Sequence, residues 1–164
     1  VRPFSADGVA EPRALGEVEE ESDNVKLALS HVVPDLIQKL LKGQDPLHIL
    51  GDGSQVRCYT HGTDLAAGII ATMEHPAARN EDFNISSPTP TTVLELAELI
   101  WHKIKGDEPL RVVHDDPFEH DVQKRIPSLD KARDLIGFEA TMTLDEMLDE
   151  LIPWIKDALD KNLL

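Results

Sequence analysis

The stretch GDGSQVRCYTHGTDLAAGI, residues 51–69, sets two glycines, an arginine and a tyrosine ahead of a helix-like run. Arg57 stands out in a chain of 31 acidic and 16 basic residues with a formal net charge of −15. A guanidinium is a flat fork whose N–H groups match phosphate oxygens in pairs. Beside a glycine turn, such a cation suits a phosphate-bearing ligand. The competing reading is a surface ion pair, which the excess of carboxylates makes easy to form.

Other constellations carry less. GDGSQV opens like G-x-G-x-x-G, but Val56 holds the third glycine position and strand-like sequence follows where a helix should begin. It therefore reads as a tight turn between strands. The seven histidines include no H-x-x-x-H pair. HDDPFEHD at 114–121 gathers His114, Asp115, Asp116, Glu119, His120 and Asp121. A metal site competes there with a solvated, proline-broken loop; the loop is the better reading, and no metal is expected. Cys58 is the only cysteine, so no internal disulfide forms. In its strand-like run it reads as a small core residue rather than a nucleophile. Asn84-Ile85-Ser86 matches a glycosylation sequon, yet nothing in the sequence points to a secretory route.

The elements that must position Arg57 alternate between strand and helix. LHIL (47–50) and VRCYT (56–60) are strand-like and flank the turn. A first helix is predicted over about 31–42, with Val33, Leu36, Ile37, Leu40 and Leu41 as its apolar stripe, Ser30 as cap and Gly43 as stop. A second is predicted over about 63–74, with Leu65, Ala66, Ile69, Ile70 and Met73 turned inward. DFNIS (82–86) and LRVVH (110–114) are further strands. Thr92 and Glu95 predict a capping box and a third helix, with Ser128 capping a short fourth one that ends at Gly137. Thr143 and Glu146 predict a second capping box, with Pro153 kinking or breaking the helix that follows. Residues 5–29, with the acidic run EVEEESD, read as a long surface loop. The pattern is α/β in a single region over 1–164, with no linker to divide it.

Composition excludes several classes. Apolar residues make up 41% of the 164, enough for a real core, but no run spans a membrane. VRPFSADG lacks the apolar stretch of a signal peptide. The acidic balance argues against nucleic acid as a partner. Together with the single cysteine these features point to a cytoplasmic protein.

RPF at 2–4, VVPDLIQKLLKG at 32–43, GDGSQVRCYTHGTDLAAGI, DFNIS, TTVLELAELI and RIPSLDKARDLIGFEATMTLDEMLDE follow one another in an informative order. In that order they resemble the C-terminal half of an extended short-chain dehydrogenase/reductase, closest to the NAD-dependent sugar-nucleotide epimerases and dehydratases. The resemblance implies the C-terminal part of a Rossmann-type fold, a few short strands with about five helices. It implies a substrate-binding half for a nucleoside-diphosphate sugar of UDP or dTDP type; half of a Rossmann sheet leaves an apolar face and a strand edge uncovered, so a homo-oligomer is expected. The family's G-x-x-G-x-x-G turn and its Tyr-x-x-x-Lys pair do not occur here. The one tyrosine is Tyr59, and Thr63 stands where the lysine would be. On this reading the NAD-binding half is absent: NAD belongs to a full-length parent, and this chain binds no cofactor and has no catalytic residue of its own.

The resemblance also assigns binding residues. Arg57 falls where the family places an arginine on the diphosphate, and Arg125 on a second position near the nucleotide. Gln55 either contacts the nucleotide or shapes the turn. Asp121 and Gln123 either meet ribose hydroxyls or lie exposed. Ser30, His31 and Val32 enter the first helix where the family surrounds the base. Ser5 replaces the asparagine that usually follows RPF, which alters the substrate contact. Two alternatives stay open: a non-catalytic module that binds a nucleotide or a partner chain, and an oxidoreductase acting on a non-sugar carbonyl compound.

Overall fold

The computed structural model describes residues 1–7, 31–117 and 121–163. Ser30, most of the 5–29 stretch and residues 118–120 of the acidic loop lie outside these. Among the described residues there are five α-helices and eight short strands, the α/β pattern the sequence predicts. The strands are β1 (Arg2–Pro3), β2 (Ala6–Asp7), β3 (Leu47–Leu50), β4 (Val56–Arg57), β5 (Thr60–His61), β6 (Asn84–Ile85), β7 (Thr91–Thr92) and β8 (Val112–Asp115). The helices are α1 (Val32–Leu41), α2 (Gly62–Glu74), α3 (Val93–Lys105), α4 (Asp130–Ile136) and α5 (Leu144–Asp160). No helix among them is long and apolar enough to cross a membrane.

Strands pair two by two. β1–β6, β2–β5 and β3–β8 are parallel, and β4–β7 is antiparallel with Arg57 opposite Thr91. The β3–β8 pair is the longest, from Leu47 opposite Val112 to Leu50 opposite Asp115. The main core joins α1, β3, α3 and α5 through Val33, Leu36, Ile37, Leu47, Ile49, Ile100, Trp101, Leu148 and Leu151. A smaller core of Phe83, Ile85, Ala132, Ile136 and Phe138 seats α4 against β6.

Local signals account for most boundaries. Both capping boxes form: Thr92 and Glu95 start α3, and Thr143 and Glu146 start α5. Gly43, at φ +85°, closes α1 as expected. Three expectations are corrected. α4 begins at Asp130 after Leu129, and the Ser128 hydroxyl donates to the Asp130 carboxylate rather than capping the helix backbone. α5 runs unbroken through Pro153, because Leu151, Ile155 and Ala158 on either side of the proline are buried in the same core. The third correction concerns α2. Ala66, Ile69, Ile70 and Met73 face outward, and the face turned inward carries Asp64 and Gly68. A Cβ at Gly68 would lie 2.5 Å from Ile85 Cγ2, so the glycine is what lets α2 lie down on β6.

Candidate functional site

The C-terminal ends of β3 and β8 lie side by side, the place where open parallel sheets present ligands. The turn that leaves β3 there is fastened to β8. The Gly51 N–H donates to the Asp115 carbonyl at 2.9 Å, and His114 Nδ1–H donates to the Gly51 carbonyl at 2.9 Å. Inside the turn, the Ser54 hydroxyl and N–H both donate to Asp52 Oδ1, at 2.6 and 2.9 Å. The hydroxyl contact, then the N–H, holds the Asp52 carboxyl below its ordinary range, so it stays ionised.

Gln55 is buried, and its Nε2 donates to the Leu50 carbonyl at 3.2 Å. The Nε2 contact braces the turn, while Gln55 Oε1 is buried with no hydrogen-bond partner among the described residues. Its backbone carbonyl accepts from Val93 N–H at 3.0 Å, which ties the turn to the start of α3.

Arg57 follows two residues later. Its Nη1 donates to the Val56 carbonyl at 2.9 Å, and its Nη2 to Asp121 Oδ1 at 3.2 Å. The two side chains are only 16% and 20% exposed, so this is a half-buried pair rather than a surface one. Residues 121–125 run along β4: Val56 N–H donates to the Gln123 carbonyl at 2.8 Å, and Arg125 N–H to the Val56 carbonyl at 3.1 Å. The side chains of Gln123 and Arg125 are exposed at this edge.

The structure thus brings Gln55, Arg57, Asp121, Gln123 and Arg125 together along β4. Ser5 enters from the neighbouring β2–β5 pair, where its carbonyl accepts from Thr60 N–H at 3.0 Å. It holds φ +36°, a left-handed conformation that asparagine tolerates better than serine. His31 caps α1 by backbone only, and Val32 is the first helical residue; both are carried by a different element from the Arg57 group. Sequence reasoning missed His114 as the clasp of the turn. Its signal was there, since it ends a strand whose neighbour runs into the glycines. Thr91, buried opposite Arg57, gave no signal at all.

Cys58 is buried, and burial pushes its thiol up, away from the thiolate a nucleophile requires. Tyr59 lies in the main core. Among the described residues no group of three or more His, Cys, Asp or Glu side chains is arranged to hold a metal.

The glycine turn does not fit a dinucleotide. A Cβ at Gly51 would meet Gln55 Nε2 at 2.7 Å, and one at Gly53 would meet Ile49 Cδ1 at 2.9 Å. Internal side chains fill the space that a pyrophosphate needs against a cofactor turn, and the chain goes on into β4 rather than into a helix.

A family model described as the NAD dependent epimerase/dehydratase family matches residues 17–86. UDP-glucuronic acid decarboxylase 1 of Danio rerio is 30% identical over 132 residues, 79% of this chain and 30% of that protein. A putative UDP-glucose 4-epimerase of Methanocaldococcus jannaschii is 30% identical over 128 residues, 77% of this chain and 39% of that protein. Among solved structures, an epimerase of Methanothermobacter thermautotrophicus aligns with a TM-score of 0.79 at 27% identity, covering 98% of this chain and 44% of that one. The UDP-glucose 4-epimerase of Thermotoga maritima, solved with UDP-glucose, aligns with a TM-score of 0.75 at 28% identity, covering 96% and 45%. The chain therefore spans less than half the length of these relatives. The ordered motifs, the α/β fold they build and these likenesses agree: the chain belongs to the NAD-dependent epimerase/dehydratase family of extended short-chain dehydrogenases/reductases.

Proposed function

We propose that this chain is the substrate-binding half of a nucleoside-diphosphate-sugar epimerase or dehydratase, with Arg57 holding the diphosphate. The observation that carries the reading is the half-buried Arg57 guanidinium, set beside a glycine turn at the C-terminal ends of two parallel strands. A cation withdrawn from water binds an anion more strongly than an exposed one does, because less screening intervenes. The exposed Arg125 adds a second, weaker positive charge at the same edge. Relatives named for UDP sugars make UDP the nucleotide of first choice. NAD chemistry is assigned to a cofactor-binding half outside residues 1–164. Homo-oligomerisation and a cytoplasmic location belong to the same reading.

The test is binding. Purified chain is titrated with UDP, UDP-glucose, UDP-glucuronic acid, dTDP and NAD while the unfolding midpoint is followed, since a ligand of the native state raises it by mass action. A rise with the UDP ligands and none with NAD is expected. A rise with NAD alone, or with nothing, overturns the reading. A second reading, a nucleotide-binding module without catalysis, is favoured by Tyr59, which sits in the core without a lysine at Tyr-x-x-x-Lys spacing. It predicts the same binding but no activity after a cofactor-binding half is supplied.

A further inference from the structure

The assignment of Arg57 to the diphosphate leaves open what Asp121 does, and this inference rests on that assignment. We propose that Asp121 is a positioning residue: it serves the diphosphate by orienting Arg57 and does not hold the ribose. Among the described residues, the Arg57 side chain has two restraints. Nη1 is fixed by the Val56 carbonyl and Nη2 by Asp121 Oδ1. Two contacts on different nitrogens fix the plane of a guanidinium, whereas one leaves it free to rotate. Arginine carries N–H donors on three nitrogens, so among the described residues the Nε–H and the second N–H of each terminal nitrogen are left for phosphate oxygens.

The backbone reinforces the arrangement. Residues 121–125 are laid along β4 by bonds from Val56 N–H to Gln123 and from Arg125 N–H to Val56, with a parallel bridge between Val56 and Lys124. The strand that carries Arg57 and the segment that carries Asp121 are therefore one hydrogen-bonded unit. The Asp121 carboxylate already has its cation at 3.2 Å and is largely buried with it. Breaking that pair to reach a ribose would leave the guanidinium loose at the moment the phosphates need it.

The charge of Asp121 has the opposite effect from its geometry. A carboxylate beside the guanidinium repels an incoming diphosphate, while the oxygen that accepts from Nη2 keeps the fork aimed. The two parts separate by substitution. Asp121→Asn keeps an acceptor oxygen and drops the charge. Asp121→Ala drops both.

The experiment measures affinities of wild type, Asp121→Asn, Asp121→Ala and Arg57→Ala for UDP and for inorganic pyrophosphate by calorimetry. The unfolding midpoint of each variant is checked first. Asp121→Asn is expected to bind both probes as tightly as wild type or several-fold more tightly, and Asp121→Ala to bind both about tenfold more weakly. Pyrophosphate has no ribose, so parity between the probes marks action through Arg57. If both Asp121 variants weaken UDP and leave pyrophosphate unchanged, Asp121 is a ribose contact and the proposal fails. If both tighten the two probes, Asp121 is only a competing charge and the proposal fails again. If wild type binds neither probe, or Arg57→Ala binds as wild type does, the diphosphate reading itself falls and takes this role with it.

Discussion

Asp64 and Thr141, far apart in sequence, are joined twice: Asp64 Oδ1 accepts from the Thr141 N–H at 3.1 Å and from its hydroxyl at 2.9 Å. Oδ2 accepts from Met142 N–H at 2.9 Å. The buried carboxylate thus clasps the start of α2 to the approach of α5. Asp64→Ala removes an anion that satisfies three donors and strands those donors away from water. A loss of about 2–4 kcal/mol is expected from urea unfolding, on the scale of charged hydrogen bonds and buried orphans. A loss below about 1 kcal/mol would show that water takes over the clasp.

Arg57→Ala is expected to weaken UDP binding by roughly one to two orders of magnitude. A charge-assisted bond contributes about 1.5–3 kcal/mol, and each ~1.4 kcal/mol is tenfold. Arg57→Lys should recover part of the loss, because an ammonium keeps the charge but not the fork. Calorimetry against wild type decides, and equal affinities would remove the diphosphate role.

Gly68→Ala should destabilise the fold even though alanine is the better helix former by about 1 kcal/mol. The added methyl meets Ile85 Cγ2 at 2.5 Å, on a branched side chain fixed in the smaller core. Overpacking of this kind costs about 1–3 kcal/mol. Thermal unfolding of the variant should show a lower midpoint; a higher one would mean that α2 can lift off β6 freely.

Ser5→Asn should stabilise by about 0.5 kcal/mol, because the residue sits at φ +36° and asparagine enters the left-handed region more readily. Chemical denaturation measures it. A neutral or negative result would show that the Ser5 hydroxyl offsets the backbone strain.

The capping boxes give a pH dependence of known sign. In α3, the Thr92 N–H and then its hydroxyl hold Glu95 below the ordinary glutamate value near 4.5; in α5 the Thr143 hydroxyl and then its N–H do the same for Glu146. A carboxyl depressed in the folded state stabilises above its unfolded value, and that contribution is lost as pH falls through the folded value. Stability should therefore decline below about pH 4.5. The double variant Glu95→Gln, Glu146→Gln should decline less steeply over that range. Parallel curves would show that the boxes do not titrate with folding.

Where one signal dictated structure locally, the sequence was legible. Both capping boxes, the Gly43 stop and the stripe of α1 needed only spacing and side-chain chemistry. The glycine turn was legible because Val56 ruled out a cofactor loop. The inward face of α2 was not. Its apolar residues run most of the way round the helix, and the choice between faces is made by Gly68 against Ile85, a contact between distant segments. Arg57 could be singled out from its neighbours, but its partner Asp121 lies 64 positions on and is supplied only by the folded chain. The pairing of residues 121–125 with β4 is likewise a tertiary fact, since those residues show no strand pattern of their own.

The outward face of α2 has a chemical consequence. Of the three methionines, Met147 is buried and Met142 packs against the main core, while Met73 is 79% exposed. Dilute peroxide should convert Met73 to the sulfoxide first, a gain of one oxygen readable by mass on the peptide that carries it. That rate is a built-in footprint. Any surface that settles on Ile69, Ile70 and Met73, from a second copy or another protein, will slow the oxidation of this one thioether and leave a record of having been there.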